Sequence, residues 1–406
     1  MTDPRKGNDI VLRNQKILLV RRPNGLPQPE DFRLEQENIV VSDAKLNDSD
    51  DRNSLIVLET LYVSIDPAMR GWMSTQRSYL PPVPLGSVMR ASTVSRVIAA
   101  APRALERAFP VGSLVRSEIV GVQSYFVMEG YSEARARKRL TRLEMASIPR
   151  STGLSPASHL GVLGTTGMTA YFGLLRVGEP KPSDVVLVSG AAGATGSIVA
   201  QIAKHVVGCK TVIGTAGTDE KCAWLEANGV VDVAINYKTA GSSLSRAIRE
   251  ASSPGKHNAG RAKRMQGGVD VVFDNVGSEF LEAALGNLAE KGGARVVLCG
   301  AISRYNQTGA SAGASNGPRN YMNLLVRRAS MKGFVVFDYK KEYPTAIRDL
   351  VKWISDGKIR CYGEDMRHVG IGQFYPALLS LFRGTNTGKV VLKVNEENAV
   401  ASRSRL

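Results

Sequence analysis

The sequence predicts an α/β protein in which a doubly wound parallel sheet follows a β-rich domain. Between about residues 184 and 338, short runs rich in β-branched residues alternate with segments of helix length. Before residue 161, short strand-like runs follow one another and are separated by Pro and Gly turns. Strands that alternate with helices form parallel sheets, whereas consecutive short strands form β-rich domains. We therefore expect two architectures in one chain.

Six runs are the predicted strands of the parallel sheet. They are residues 185–188, 211–215, 233–236, 269–274, 295–299 and 331–337. Each run is separated from the next by a stretch long enough for a helix, as in sheets that are wound with helices on both faces.

The rest of the chain predicts the second unit. Its expected elements are strands at residues 55–63, 94–99, 113–119 and 389–394 and a helix at 345–356. An N-terminal β-rich domain, residues 1–160 completed by residues 341–406, would then flank an inserted domain of residues 161–340. The Gly- and Lys/Arg-rich stretch 254–268 is expected to be an exposed loop, and the stretch 311–318 a mobile loop over a site.

The composition is that of a folded globular protein. The chain has 406 residues, of which 43% are hydrophobic and 22% charged. No apolar run approaches the length of a membrane-spanning helix, and the polar N-terminus lacks the apolar centre of a secretory signal. The net charge of +16 is spread out, and its densest cluster, residues 133–144, contains two glutamates and no aromatic residue. Because single-strand binders interleave basic and aromatic residues, we expect a solvated surface there and no nucleic-acid partner.

The stretch VSGAAGATGS, residues 188–197, lies between a predicted buried strand and a predicted helix that runs to Gly208. This strand–turn–helix context is typical of dinucleotide-binding loops. Gly193 allows the backbone to approach a pyrophosphate, and Gly196 allows the helix to pack closely on the strand. The unpaired amides at the start of the helix would face the phosphates. Ala191 stands in place of the first glycine of the usual GxGxxG pattern and still permits a tight turn.

The residues after the second strand indicate which dinucleotide binds. An NAD site usually places a carboxylate there, on the ribose 2′-hydroxyl. This chain has Thr215-Ala216-Gly217 instead, then Thr218 as the expected N-cap and Lys221 in the first turn of the next helix. A cation near a helix N-terminus is disfavoured by the helix dipole. A bound anion, the 2′-phosphate of NADP, would explain why Lys221 is found there. The sequence therefore favours NADP, with a solvated Lys221 paired to Asp219 or Glu220 as the alternative.

Metal-ligating residues are few, and no metal is predicted. The histidines are His159, His205, His257 and His368, and none is spaced with cysteine or glutamate as a zinc site requires. Four widely spaced cysteines without a CxxC pair are typical of a reducing compartment. Without a Lewis acid, reduction of an activated C=C bond is easier to assist than hydride transfer to or from a simple alcohol. The enzyme then need only hold the carbonyl oxygen while an enolate forms.

Several segments, taken in order, resemble one enzyme family. They are GTTGMTAYFGL (164–174), VSGAAGATGS, GTDEK (217–221), INYK (235–238), FDNVG (273–277), CGAISRYN (299–306), KGFVVFD (332–338) and GTNTGK (384–389), with RRPNGLPQPEDF and YVSIDPAMRGWM near the N-terminus. The chain resembles the zinc-independent medium-chain dehydrogenases/reductases. Within them it is most similar to the prostaglandin reductases (leukotriene B4 12-hydroxydehydrogenases) and the NADPH-dependent alkenal double-bond reductases. The resemblance implies a GroES-like N-terminal domain, a Rossmann domain, NADPH bound between them, and a homodimer.

The resemblance also implies which residues contact the cofactor. They are Ala192, Gly193, Ala194, Thr195 and Gly196 in the pyrophosphate loop, Lys221 and Tyr237 at the 2′-phosphate, Asn275 near the ribose, Cys299, Gly300, Ala301, Ile302, Ser303, Phe334, Val335 and Val336 around the nicotinamide, and Asn386 from the C-terminal segment.

Tyr305 is the candidate catalytic residue, expected to hold the substrate carbonyl oxygen or to deliver a proton. The alternative is a packed aromatic ring or a cofactor contact only. In related plant reductases a tyrosine of the VDPYMR motif lines the substrate pocket, whereas Ala68 takes its place in IDPAMR here. This departure enlarges the expected pocket and leaves the substrate open.

The predicted activity is NADPH-dependent reduction of the C=C bond of α,β-unsaturated ketones or aldehydes, both small-molecule substrates. Two alternatives stay open at this point. The first is an NADPH quinone reductase on the same scaffold. The second is a non-catalytic nucleotide-binding protein that contacts RNA or membranes through its positive charge.

The C-terminal tripeptide Ser404-Arg405-Leu406 resembles the SKL-type peroxisomal address. It ends a polar tail, residues 395–406. The sequence therefore predicts a peroxisomal protein recognised by an import receptor, with a cytosolic protein as the alternative.

Overall fold

The computed structural model describes residues 9–46, 50, 54–76, 78–253, 267–307 and 317–395. Most of the two expected loops, 254–268 and 311–318, lies outside these residues, and so does the whole Ser404-Arg405-Leu406 tripeptide.

The described residues form three sheets. Their strands are β1 (Ile10–Leu19), β2 (Phe32–Val41), β3 (Leu55–Ser64), β4 (Thr93–Ala101), β5 (Leu114–Ser117), β6 (Tyr125–Glu129), β7 (Leu140–Arg142), β8 (Val185–Val188), β9 (Thr211–Ala216), β10 (Val233–Asn236), β11 (Val271–Asp274), β12 (Arg295–Leu298), β13 (Ser330–Gly333), β14 (Glu364–Asp365) and β15 (Lys389–Lys393).

The parallel sheet has the strand order β10-β9-β8-β11-β12-β13, and every neighbouring pair in it is parallel. The chain enters the sheet in the middle, at β8, moves to one edge and then returns to build the other half. The direction of winding therefore reverses between β8 and β11. Ligands bind outside the carboxyl ends of the strands at such a reversal. The predicted doubly wound sheet is confirmed.

Three of its strands are shorter than predicted. β11 begins at Val271, two residues late, β12 ends at Leu298, one residue early, and β13 ends at Gly333, four residues early. The apolar residues after β13 leave the sheet because they pack elsewhere. The ring of Phe334 lies so close to Gly173 that a Cβ on that glycine would be 2.5 Å from it. A 3₁₀-helix, Val336–Glu342, then follows.

The larger N-terminal sheet has the order β14-β15-β3-β4-β5-β7, with β6 also paired to β3. β15 is antiparallel to β3, so the last strand of the described chain lies beside a strand from its beginning. The hairpin of β1 and β2 forms a separate two-stranded sheet that the sequence pattern did not indicate. Polar residues interrupt both strands, and β2 buries only its final residue, so their apolar pattern is weak.

Helices pack on both faces of the parallel sheet. Along β8, Val186 and Val188 belong to one apolar cluster, whereas Val185 and Leu187 belong to another. Because alternate side chains of a strand point to opposite faces, each cluster covers one face.

The predicted helix at 345–356 is confirmed, although it begins two residues earlier, at Tyr343, and ends at Ser355. No helix among the described residues has the length and apolar character needed to cross a bilayer. The α-helices are Asp43–Leu46, Met69–Trp72, Arg103–Ala108, Glu133–Arg137, Thr165–Phe172, Ala194–Gln201, Asp219–Ala227, Tyr237–Ala240, Leu244–Ala251, Ser278–Leu285, Asn323–Val326, Tyr343–Ser355 and Phe374–Arg383.

Candidate active site

A cavity of about 750 Å³ lies between the parallel sheet and the N-terminal sheet. Tyr305 and every residue predicted to contact the cofactor line this cavity, with the exception of Ala301. Residues that are far apart in the sequence, from the glycine loop to Asn386, are therefore brought together by the fold.

The glycine loop follows β8 and turns at Gly190, whose φ of +58° favours glycine. A Cβ at Gly196 would lie 2.4 Å from the Gly190 carbonyl oxygen, so any side chain there would push the helix away from the strand. Gly193 is the N-cap of helix Ala194–Gln201. Among the described residues no side chain caps this helix, so its first-turn amides are available to a phosphate.

Ala191 fits in the loop because it packs against another glycine. Its side chain is fully buried, and a Cβ at Gly214 in β9 would lie only 2.7 Å from the Ala191 Cβ. The methyl group of Ala191 thus occupies the space next to a strand residue that has no side chain. Positive φ is needed one residue earlier, at Gly190, so alanine at position 191 causes no backbone strain.

Asp274, at the end of β11, fixes the loops at the reversal of strand order. Its fully buried carboxylate accepts hydrogen bonds from the Ser189 hydroxyl at 2.9 Å and from the backbone N–H groups of Val276 (2.8 Å) and Gly277 (3.0 Å). Burial raises the pKa of Asp274, and these hydrogen bonds oppose the rise. Asn275 donates its side-chain amide to the Ser189 carbonyl oxygen at 2.7 Å. The neighbouring ends of β8 and β11 are therefore locked together.

The predicted N-cap of helix Asp219–Ala227 is confirmed, because the Thr218 hydroxyl accepts the backbone N–H of Lys221 at 3.2 Å. The Lys221 ammonium donates to the backbone carbonyls of Gly384 at 2.7 Å and Asn386 at 2.6 Å. The alternative of a solvated lysine paired with a helix carboxylate is not what the described residues show. The Lys221 ammonium uses two of its three N–H donors for these backbone carbonyls, and the third is available to a ligand.

Two other cations act on Lys221. Its pKa is lowered by burial and then by the charges of Lys238 and Arg367. Tyr237 lies beside this group, and its hydroxyl oxygen would be 3.1 Å from a Cβ on Gly217. A half-buried cation with cationic neighbours is stabilised by an anion, so the residues fit a phosphate at this end of the cavity.

The segment 384–388 joins the two sheets across the cavity. The Gly388 N–H donates to the Ala192 carbonyl oxygen at 2.9 Å, and Asn386 donates its side-chain amide to the Gly388 carbonyl oxygen at 3.0 Å. Because β15 begins at Lys389, the glycine loop is tied directly to the N-terminal sheet.

Tyr305 lies at the other end of the cavity, after a short 3₁₀ turn. Its phenolic oxygen accepts the backbone N–H of Ala301 at 3.3 Å, and it would be 3.2 Å from a Cβ on Gly300. Burial raises the pKa of Tyr305, so the phenol stays protonated. Burial also raises the pKa of the neighbouring Cys299 thiol to about 12, which keeps it protonated as well. Ala301 thus contributes a backbone hydrogen bond rather than a cavity surface.

The wall that faces Tyr305 comes from the N-terminal part of the chain. It contains Trp72, Tyr79, Leu80 and Arg90 in addition to Ala68, and the ring centroid of Tyr79 lies 6.3 Å from that of Phe337. Except for Ala68, none of these residues was predicted from the sequence to belong to the site. Trp72 belongs to the motif YVSIDPAMRGWM, which was recognised in the sequence. No local pattern indicates that Tyr79, Leu80 and Arg90 belong to the site.

A zinc centre needs His, Cys or carboxylate ligands that lie close together. In the described part of the chain, no group of three or more His, Cys, Asp and Glu side chains is arranged to hold a metal ion. The side chains present in that part do not fit a zinc centre.

Comparison with known proteins agrees with this geometry. A family model described as the N-terminal domain of oxidoreductase matches residues 15–135, and one described as zinc-binding dehydrogenase matches residues 194–352. The chain is 38% identical to a putative NADP-dependent oxidoreductase, YfmJ, of Bacillus subtilis over 94% of this chain and 98% of that protein. It is 37% identical to prostaglandin reductase 1 of Bos taurus over 91% of this chain and 95% of that protein.

Solved structures show the same architecture. The structure of CurA from Vibrio vulnificus in complex with NADPH superposes with a TM-score of 0.72 at 32% identity, covering 94% of this chain and 99% of that chain. The chain therefore belongs to the medium-chain dehydrogenase/reductase family, in the group of NADP-dependent reductases that includes prostaglandin reductase 1.

Proposed function

We propose that this chain reduces the C=C bond of α,β-unsaturated ketones or aldehydes with NADPH. The observation that carries the proposal is that Tyr305 lines the cavity with a protonated hydroxyl group. Its phenolic oxygen accepts the Ala301 N–H, and its pKa is raised by burial, so it offers a proton to a carbonyl oxygen. The relatives named above, an NADP-dependent oxidoreductase and a prostaglandin reductase, support the same chemistry.

The residues present fit NADPH. The uncapped amides after Gly193 would hold the pyrophosphate, and Lys221 with Tyr237 would hold the 2′-phosphate. Asn275, the 299–303 segment, the 334–336 segment and Asn386 would complete the cofactor contacts. When bound, the nicotinamide supplies the hydride that reaches the β-carbon of the substrate.

The protein's own contribution is to hold and stabilise the reacting carbonyl. Tyr305 would donate a hydrogen bond to the substrate oxygen, and this bond strengthens as negative charge develops there. The proton for the α-carbon would come from Tyr305 or from water. The aromatic wall of Trp72, Tyr79 and Phe337 would exclude bulk water and thereby strengthen the hydrogen bond.

A screen of enones, enals and quinones with NADPH and NADH tests the proposal. We expect loss of NADPH absorbance with enones and enals, with much slower loss when NADH replaces NADPH. Faster turnover of quinones than of every enone would indicate the alternative quinone reductase. Binding of NADPH without turnover of either class would contradict the proposal.

A homodimer is also proposed. All four residues of β13, at the edge of the parallel sheet, are exposed, and Leu325 and Val326 on the preceding helix are 70% and 61% exposed. In the described part of the chain no strand pairs with the outer edge of β13, and such an edge beside exposed apolar side chains favours pairing with a second chain. Sedimentation analysis should give twice the chain mass, and Leu325→Glu should shift it toward the monomer. A monomeric wild-type protein would contradict this proposal.

The Ser404-Arg405-Leu406 tail is proposed to be a peroxisomal address read by an import receptor. It lies outside the described residues, so the proposal rests on the sequence alone. A fluorescent protein fused to the last twelve residues should enter peroxisomes, and the same fusion without the tripeptide should stay cytosolic. Identical distributions of the two fusions would refute the proposal.

A further inference from the structure

Arg90 is a cation of the cavity wall that the proposed reaction does not use. It is half-buried and lines the cavity, and burial lowers the pKa of its guanidinium. Among the described residues, no carboxylate lies within ion-pair distance of it. Two carboxylates, Asp66 and Glu118, also line the cavity. Asp66 pairs with Lys389 at 2.6 Å, and Glu118 forms no ion pair with Arg90 in the described part of the chain.

The position of the guanidinium is fixed before any ligand arrives. It donates to the Pro81 carbonyl oxygen at 3.0 Å, and its central carbon lies 5.6 Å from the centre of the Trp72 ring. Stacking on an aromatic face and one backbone acceptor restrict the rotamers of the side chain. A guanidinium has five N–H donors in a planar fork, so most of its donors stay free for a ligand.

Arg90 faces the Tyr305 end of the cavity. Its electrostatic neighbour is Tyr79, and Tyr79 interacts in turn with Cys299 and with Tyr305. The cations that fit the 2′-phosphate form a different group, because the charged neighbours of Lys221 are Lys238 and Arg367. An anion at Arg90 would therefore belong to the substrate rather than to the cofactor.

We infer that Arg90 selects substrates in which the enone or enal carries a carboxylate, and that it binds this carboxylate through its free N–H donors. The inference rests on the proposed reductase function. A cation held in a partly desolvated wall without a carboxylate partner gains most from a planar anion that accepts two parallel hydrogen bonds. The neighbouring apolar side chains of Trp72 and Leu80 would contact the hydrocarbon part of the same substrate.

The test compares one straight-chain enone that ends in a carboxylate with the methyl ester of the same compound. For the wild-type protein we expect kcat/KM to be about tenfold or more higher for the acid, the size of a charge-assisted hydrogen bond. Arg90→Gln should bring the acid-to-ester ratio close to one, and Arg90→Lys should keep part of it. The control Arg107→Gln removes an exposed charge outside the cavity and should keep the wild-type ratio.

A wild-type ratio near one, or a ratio that Arg90→Gln leaves unchanged, would overturn the inference. If the Arg90 variants fail to fold, the wild-type protein still decides the matter. Added salt should lower the acid-to-ester ratio when a charge contact underlies it, and an unchanged ratio would count against the contact. Turnover of the ester as fast as the acid refutes only the role of Arg90, whereas turnover of neither compound refutes the reductase function on which it rests.

Discussion

The backbone N–H of Ala301 donates a hydrogen bond to the phenolic oxygen of Tyr305 at 3.3 Å. This contact occupies an acceptor position of the hydroxyl and leaves its proton free for another acceptor in the cavity. Because a backbone group makes the contact, the orientation of Tyr305 does not depend on the side chain at position 301. A catalytic role for Tyr305 therefore requires the hydroxyl itself, and its removal is the direct test.

Tyr305→Phe should lower kcat for enone reduction by roughly 100-fold, since one hydrogen-bond donor to the developing negative charge is lost. The affinity for NADPH, measured by fluorescence titration, should stay close to that of the wild type. Tyr321→Phe is the matched control, because Tyr321 is 59% exposed and does not line the cavity. Unchanged turnover would reduce Tyr305 to a packing residue.

The pH dependence of the reaction follows from the same residue. Burial raises the pKa of Tyr305 above the ordinary value of 10.0, so the phenol is protonated below that pH. Activity that depends on this proton should be constant through the neutral range and should fall only as the pH rises past 10.0. The alkaline fall should be absent from the residual activity of Tyr305→Phe. A fall near neutral pH that vanishes in this variant would show a lowered pKa and contradict the structure.

Lys221→Ala separates two roles of one ammonium group. If Lys221 holds the 2′-phosphate, the variant should weaken NADPH binding far more than NADH binding, because only NADPH carries that phosphate. If Lys221 only ties the chain to the carbonyls of Gly384 and Asn386, both cofactors should weaken equally. Isothermal titration with both cofactors distinguishes the outcomes, and Lys210→Ala, an exposed lysine outside the cavity, serves as control.

The ion pair of Lys389 and Asp66 is expected to stabilise the fold. The Lys389 side chain is 6% exposed, and its ammonium also donates to the Ile65 carbonyl oxygen at 2.7 Å. Lys389→Met should cost about 3–5 kcal/mol of unfolding free energy, because it leaves a partly buried carboxylate without its partner. In urea titrations, Lys352→Met should cost less than about 1 kcal/mol, since its pair with Asp356 is exposed. Equal losses would show that the Lys389 pair is not energetically special.

Gly214 and Ala191 form a complementary pair that mutation can test. Gly214→Ala should lower the unfolding free energy by about 1–3 kcal/mol, because the added methyl group collides with the Ala191 Cβ and with Val231. Combining it with Ala191→Gly should recover part of the loss, since one of the two collisions is then removed. A double variant no more stable than Gly214→Ala would mean that Val231 alone sets the cost.

The centre of the parallel sheet could be predicted because β8 and β11 are buried on both faces and appear as short apolar runs. The hairpin of β1 and β2 could not, because polar residues interrupt both strands. The end of β13 was placed too late for a related reason: Phe334 is apolar because it packs against Gly173, not because it continues the strand.

The motif residues of the site could be located because each belongs to a short contiguous loop with its own pattern. The wall formed by Trp72, Tyr79 and Arg90 could not, because only the tertiary fold brings these side chains to the cavity. For Lys221, the opposition to the helix dipole predicted an anionic 2′-phosphate, which stays a prediction, whereas the acceptors that the described residues show are two backbone carbonyls. One of its acceptors, the Gly384 carbonyl, lies 163 residues further along the chain, and no local pattern contains that information.

The pairing of β15 with β3 also has a consequence for synthesis on the ribosome. β3, near the start of the chain, lacks this neighbour until residues 391–393 have been translated. By then all six strands of the parallel sheet are already available. The inserted parallel-sheet unit can therefore fold during translation. The N-terminal sheet, in contrast, keeps an unpaired part of β3 until β15 has been translated. A nascent chain halted before β15 should thus be more prone to aggregation and to chaperone binding than the finished protein.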